Sequence, residues 1–128
     1  MSDLNTVHNR AVWFDIPVIE LDRAVKFYKA VLAIEVSVHE MEGFSFGVLD
    51  HKEGNGGCLV PKPDEIASDS GILLYLNVHG RIHDAVTKAK EHGADILEDV
   101  HPIGPHGFRA LIRDSEGNRL ALHSEVDA

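Results

Sequence analysis

Seven side chains along this chain have the types and spacing of a small-molecule site: Trp13, Asp15, Cys58, Tyr75, Asn77, Arg119 and His123. They lie in short β-rich runs, and alternate residues of a strand share one face. Trp13 and Asp15 then face the same way as Pro17, and Tyr75 and Asn77 the same way as Leu73. Cys58 pairs in this sense with Val60, and Arg119 and His123 with Ala121. Trp13 and Tyr75 supply aromatic surface; Asp15, Asn77, Arg119 and His123 supply polar groups. An apolar concavity with a few convergent polar groups is the usual form of a small-molecule site. Each residue also has a plainer reading, with Trp13 in the core, Tyr75 and Asn77 as ordinary sheet residues and His123 toward solvent.

Asp15 stands between Phe14 and Ile16, where a carboxylate is costly to bury unless it is paired. It either forms an ion pair with Arg119 or faces a ligand. Asp15 and His123 are the candidate catalytic residues, as an acid–base pair, because histidine titrates near neutral pH. Cys58 follows two glycines, and small residues let a ligand approach the backbone. A nucleophilic cysteine needs an activating base or a lowered pKa, and the sequence shows neither. The segment 101–107 holds His101 and His106 on a proline-stiffened loop. With His123 they are the alternative set for a divalent metal, although their spacing matches no standard signature.

The elements that position these residues come from a repeat. Trp13-Phe14-Asp15-Ile16-Pro17-Val18 precedes an amphipathic stretch to Leu32, and Leu73-Leu74-Tyr75-Leu76-Asn77-Val78 precedes another to His92. The spacing predicts helices over 21–32 and 81–92, the second stopped by Gly93. Strands are expected at 11–18, 34–38, 44–49 and 57–60, then at 72–78, 94–100, 108–113 and 119–123. The fold class is α+β: two βαβββ units around a concave mixed sheet, in a single domain over 1–128. Unit one covers about 11–61, the linker about 62–70 and unit two about 71–124.

The bulk numbers narrow the partners. The chain has 128 residues, 44% hydrophobic, with a formal net charge of −9 spread evenly along it. No basic stripe exists, so nucleic acid and anionic membranes are excluded as expected partners. No apolar run reaches the roughly 18 to 20 residues of a membrane span. The polar segment 1–10 lacks the apolar stretch of a signal peptide, and a single cysteine fits a reducing cytoplasm.

Residues 14–28, with Phe27-Tyr28 on the first helix, and the closing Asp114-Ser115-Glu116-Gly117-Asn118-Arg119-Leu120-Ala121-Leu122 carry a resemblance. From about Ala11 to Ser124 the chain resembles the vicinal oxygen chelate superfamily of glyoxalase I, bleomycin-resistance proteins and extradiol dioxygenases. It looks most like a glyoxalase-related subgroup whose reactions are mostly unassigned. The resemblance implies a glyoxalase/bleomycin-resistance-type fold, a homodimer and a small organic molecule as partner. Metal-dependent members draw His or Glu ligands from the first and last strand of each unit, where the ion acts as a Lewis acid. The matching positions here hold Trp13, Val60, Leu73 and Ala121, none of them a metal donor. The expectation is a small-molecule-binding protein or enzyme without the usual metal and with no cofactor. A metal-dependent lyase, isomerase or dioxygenase with relocated ligands is one alternative, and a drug-sequestering protein without catalysis is another.

Overall fold

A computed structural model describes residues 7–128, so most of the polar N-terminal segment read above lies outside the described residues. Unit one runs β1 (Trp13–Val18), α1 (Leu21–Leu32), β2 (Val36–Met41), β3 (Phe44–Leu49) and β4 (Gly56–Pro61). Unit two runs β5 (Tyr75–Asn77), α2 (Ile82–Glu91), β6 (Asp95–Pro102), β7 (Phe108–Arg113) and β8 (Arg119–Ser124). Each unit forms a four-stranded mixed sheet, in the orders β1-β4-β3-β2 and β5-β8-β7-β6. This is the α+β architecture of two βαβββ units that the repeat predicts.

The faces follow the alternation. Ile16, Val18, Leu59, Leu76, Val78, Leu120 and Leu122 join one core with Ala24, Phe27, Tyr28 and Val31 of α1 and Ile82, Ala85, Val86 and Ala89 of α2. The intervening residues Trp13, Asp15, Cys58, Tyr75, Arg119 and His123 stay outside that cluster, on the opposite faces. Gly93 has φ +96, the left-handed conformation that stops α2.

Several strands depart from the expected bounds: β1 starts at Trp13 rather than 11, β2 lies at Val36–Met41 rather than 34–38, β6 runs on to Pro102 and so takes in His101, and β5 is the most shortened. β5 spans Tyr75–Asn77 rather than 72–78, and Ile72 is 95% exposed. Gly71 turns the chain with φ +88, and its carbonyl accepts from the Arg119 guanidinium at 3.3 Å. The linker is thus fastened to the second sheet by side chains before the ladder begins.

The two units are joined by polar contacts at both ends of α1. The entry residue Glu20 makes no side-chain cap. Instead Glu116, in the β7–β8 turn, accepts from the N–H groups of Ile19 at 2.9 Å and Glu20 at 2.8 Å. The same carboxylate accepts from Arg23 Nε at 2.7 Å. A helix start leaves backbone donors unpaired and favours negative charge, so the second unit completes the first unit's helix. At the other end Arg81 donates to the Val31 carbonyl at 2.6 Å, placing positive charge at the helix terminus.

The turn carrying Glu116 is itself held from inside. Asp114 accepts from the backbone N–H of Glu116 and of Asn118, each at 2.9 Å, and from the Tyr28 hydroxyl. Asn118 Nδ2 donates to the Pro17 carbonyl at 2.7 Å. Burial, then the Asp114 carboxylate, pushes the Tyr28 hydroxyl well above its ordinary pKa, so it stays a donor. Phe27 and Tyr28 are core residues, and the closing Asp-x-x-Gly-Asn is a turn that docks across the units.

Candidate functional site

On the first sheet the register places Asp15 beside Cys58 and Pro17 beside Val60. The Cys58 thiol donates to Asp15 Oδ1 at 3.1 Å. Burial first, then the bond to Asp15, pushes that thiol up to about 11, while a contact from Trp13 pulls it back only in part. Trp13, Asp15 and Cys58 therefore form one cluster, with the sulfur protonated at neutral pH. Trp13 also meets His51 edge-on at 5.6 Å.

Beside this cluster lies a hollow of about 350 Å³ lined by Asp15, Met41, Phe44, Phe46, Cys58, Val60, Pro61 and Lys62. Met41 and Phe44 are 52% and 46% exposed. Phe46 stacks on His39 with centroids 5.6 Å apart. Sequence reasoning missed Met41, Phe44 and Phe46. The alternation of β2 and β3 carried the signal, since Met41 pairs Phe44 and His39 pairs Phe46 on this face.

Cys58 offers a direct check on this cluster. Iodoacetamide at pH 8 is expected to modify it far more slowly than a free thiol. Asp15→Asn is expected to speed the reaction several-fold, because it removes the carboxylate that holds the proton. Mass spectrometry of timed samples reads both rates; parent modification at the free-thiol rate would contradict the buried, bonded sulfur.

The second sheet assembles a different group. His123 Nε2–H donates to the His106 carbonyl at 2.7 Å and its ring lies 6.3 Å from that of Tyr75. Arg109, opposite His123 in the β7–β8 register, donates Nε–H to His101 Nε2 at 3.1 Å and another N–H to the Tyr75 hydroxyl. Asn77 Oδ1 accepts from the His79 N–H at 2.9 Å, a local turn contact. Sequence reasoning missed Arg109 for the same reason as Phe44: the inward faces of the middle strands were not followed.

Asp15 and Arg119 line one cavity of about 170 Å³ between the units, yet no ion pair joins them. Arg119 is spent on Gly71, and its Nε is buried without a partner. The candidate acid–base pair of Asp15 with His123 is not joined either. Asp15 is bonded to Cys58 and His123 to the His106 carbonyl, on different sheets.

His101 bonds the Asp99 carbonyl at 2.7 Å as well as Arg109, and His106 meets His123 through its backbone. Among the described residues no three His, Cys, Asp or Glu side chains are gathered to hold a metal. The strand pairing also moves one position of the family set. Tyr75 is level with Ala121, while Asp15, its counterpart in the repeat, is level with Cys58 rather than Val60. With Cys58 in place of Val60, the set Trp13, Cys58, Leu73 and Ala121 offers one donor, a protonated thiol. These residues do not fit the hard, multidentate site such an ion needs.

A family model matches residues 10–122, that of the Glyoxalase/Bleomycin resistance protein/Dioxygenase superfamily. The chain belongs to this superfamily. Solved structures agree with the assignment at the level of fold. A hypothetical protein, SA1046, from S. aureus superposes with a TM-score of 0.71 at 15% identity, covering 91% of this chain and 94% of that one. A glyoxalase/bleomycin resistance protein/dioxygenase family enzyme from Burkholderia phytofirmans PsJN gives 0.65 at 17%, covering 88% and 95%. The genomically encoded fosfomycin resistance protein FosX from Listeria monocytogenes gives 0.67 at 9%, covering 91% and 93%. No curated protein matches this chain. The superfamily member described here thus shares its fold with relatives whose sequences have diverged almost entirely. No helix among its described residues is long and apolar enough to cross a membrane.

Proposed function

We propose that this superfamily member binds a small organic molecule with an aromatic body in the hollow of the first sheet, without the superfamily's usual metal. The observation that carries this reading is the half-exposed pair Met41 and Phe44 beside Phe46, Val60 and the single carboxylate of Asp15. Large apolar side chains left open around a few polar groups, here Asp15, the Cys58 thiol and Lys62, match the chemistry of a ligand site. Asp15 keeps an exposed carboxylate oxygen edge beside the thiol and accepts a hydrogen bond from an amine or hydroxyl on the ligand. A protonated Cys58, and an Asp15 separated from His123, favour sequestration over covalent or acid–base chemistry. The protein acts as a homodimer in the cytoplasm, in keeping with its superfamily and its one cysteine.

Trp13, the only tryptophan, reports on this site through its fluorescence. Titration with aromatic amines and their neutral analogues is expected to quench it, with a preference for the amines. Phe44→Ser is expected to weaken binding about tenfold, the equivalent of losing part of one buried aromatic contact. Asp15→Asn removes the preference for the amine. Equal affinity in the parent and Phe44→Ser, or one divalent ion per chain by metal analysis, overturns the reading.

A further inference from the structure

The cup-facing side of the second sheet holds arginines in an unusual electrostatic setting. By register, Arg109 and Arg113 on β7 stand opposite His123 and Arg119 on β8, so three guanidinium groups share one face. The chain carries 21 acidic residues against 12 basic ones, yet none of these three is paired with a carboxylate among the described residues. Arg113 Nε donates to the Ser68 carbonyl at 3.1 Å and Arg119 to that of Gly71, so both fasten the linker. Arg109 is different. Its partners are the neutral Tyr75 hydroxyl and the His101 ring, with no part in holding the chain's course.

The proton positions there follow from the bonds. The Asp99 carbonyl can only accept, so His101 carries its proton on Nδ1 and offers Nε2 to Arg109 as an acceptor. In this arrangement Arg109 is the donor and His101 Nε2 the acceptor. Of the five N–H donors of a guanidinium, Arg109 uses one on His101 and one on Tyr75. Its remaining donors include both hydrogens of Nη2. Tyr75 accepts from Arg109 and so has its own O–H left to give. The guanidinium lies 6.0 Å from the Tyr75 ring centroid, and Tyr75 is 44% exposed. The floor between them is closed, since Ala121 is fully buried and Leu111 nearly so.

We propose that Arg109 and Tyr75 form a binding site for an oxyanion, the carboxylate or phosphoryl group of a small organic acid. A rigid fork held from behind by His101 matches the two oxygens of such a group, and charge-assisted bidentate bonds are the strong ones. Arg113 and Arg119 add positive potential on the same face. Glu98 approaches only His101, at 3.6 Å, and its side chain is turned half to solvent. This site stands on a different sheet from the aromatic hollow and does not depend on it.

The test uses the full chain with inorganic phosphate and with benzoate, followed by calorimetry and by amide NMR shifts. Both probes are expected to shift Tyr75, His101, Arg109 and His123. Tighter phosphate binding identifies a phosphoryl ligand, and tighter benzoate binding a carboxylate. Arg109→Gln is expected to weaken the preferred anion about tenfold or more, and Arg109→Lys to fall between, because it keeps the charge and loses the fork. Tyr75→Phe, which leaves the aromatic packing intact, is expected to weaken it a few-fold. Lys90→Gln makes the same charge change on the exposed side of α2 and is expected to leave affinity unchanged. Binding unaltered in both Arg109→Gln and Tyr75→Phe overturns the proposal, as does equal weakening by Lys90→Gln. No binding of either probe at millimolar concentration overturns it too. The aromatic amine titration reads the other sheet, so either site can fail alone.

Discussion

Glu116→Ala is expected to destabilise the fold by about 2–3 kcal/mol and to lower the melting temperature by roughly 10 °C. The carboxylate is 4% exposed and serves two units at once. It accepts from the N–H groups of Ile19 and Glu20, from Arg23 Nε at 2.7 Å and Nη2 at 3.0 Å, and from Ser115 Oγ at 2.8 Å. Burial alone would raise its pKa. Arg23, the Glu20 N–H, Ser115 and the Ile19 N–H outweigh burial and lower it to about 2. Arg23 is itself half-exposed, which screens part of the pair, and the figure above allows for that. The folded value lies below the unfolded one, so the stabilisation is fully present above about pH 4.5. It is lost as pH falls toward 2. Calorimetry between pH 7 and pH 3 reads the effect, and Glu116→Gln should flatten the acid slope while keeping the side-chain volume. A Glu116→Ala melting point within a degree or two of the parent would show that the cross-unit cap contributes little.

Gly57→Ala is expected to be at least as damaging, about 3 kcal/mol or more. Gly57 lies in the β1–β4 ladder opposite Phe14. A Cβ there would stand 2.3 Å from the Phe14 carbonyl oxygen and 2.4 Å from its ring. The carbonyl belongs to the backbone of the neighbouring strand, so relief requires moving β1 and with it Trp13 and Asp15. Gly54→Ala is the internal comparison, because its Cβ would meet only the His51 carbonyl at an ordinary 3.4 Å. Urea unfolding of the two variants should separate them widely. Equal midpoints would mean that the first sheet tolerates separation of β1 from β4.

Both predictions concern residues whose neighbours are far away in sequence, and this is where the sequence became hard to read. The helix α1 was legible to the residue, because its apolar face repeats locally at 3.6 residues. The directions of Trp13, Asp15, Cys58, Tyr75 and His123 were legible as well, because strand alternation is local. What each side chain meets was not. Asp15 was open to an ion pair with Arg119 or to a ligand, but the thiol of Cys58 stands next to it, and Arg119 turns to the linker at Gly71. Val60 was matched to Ala121 by aligning turns, and the ladder puts Cys58 level with Asp15 where Ala121 is level with Tyr75, because register is set by strand pairing and not by the preceding turn.

The sequence by itself determined the two βαβββ units, the helix faces and the strand faces. Those features depend on periodicity and residue type, which a single chain displays directly. Only the tertiary structure decided how the site residues divide. It set an aromatic hollow beside Asp15 on one sheet and a carboxylate-free Arg109 beside Tyr75 on the other. It also assigned Glu116 to the start of a helix 96 residues earlier. Such partnerships arise from how two sheets and two helices pack, and no local pattern encodes a hydrogen bond across that distance.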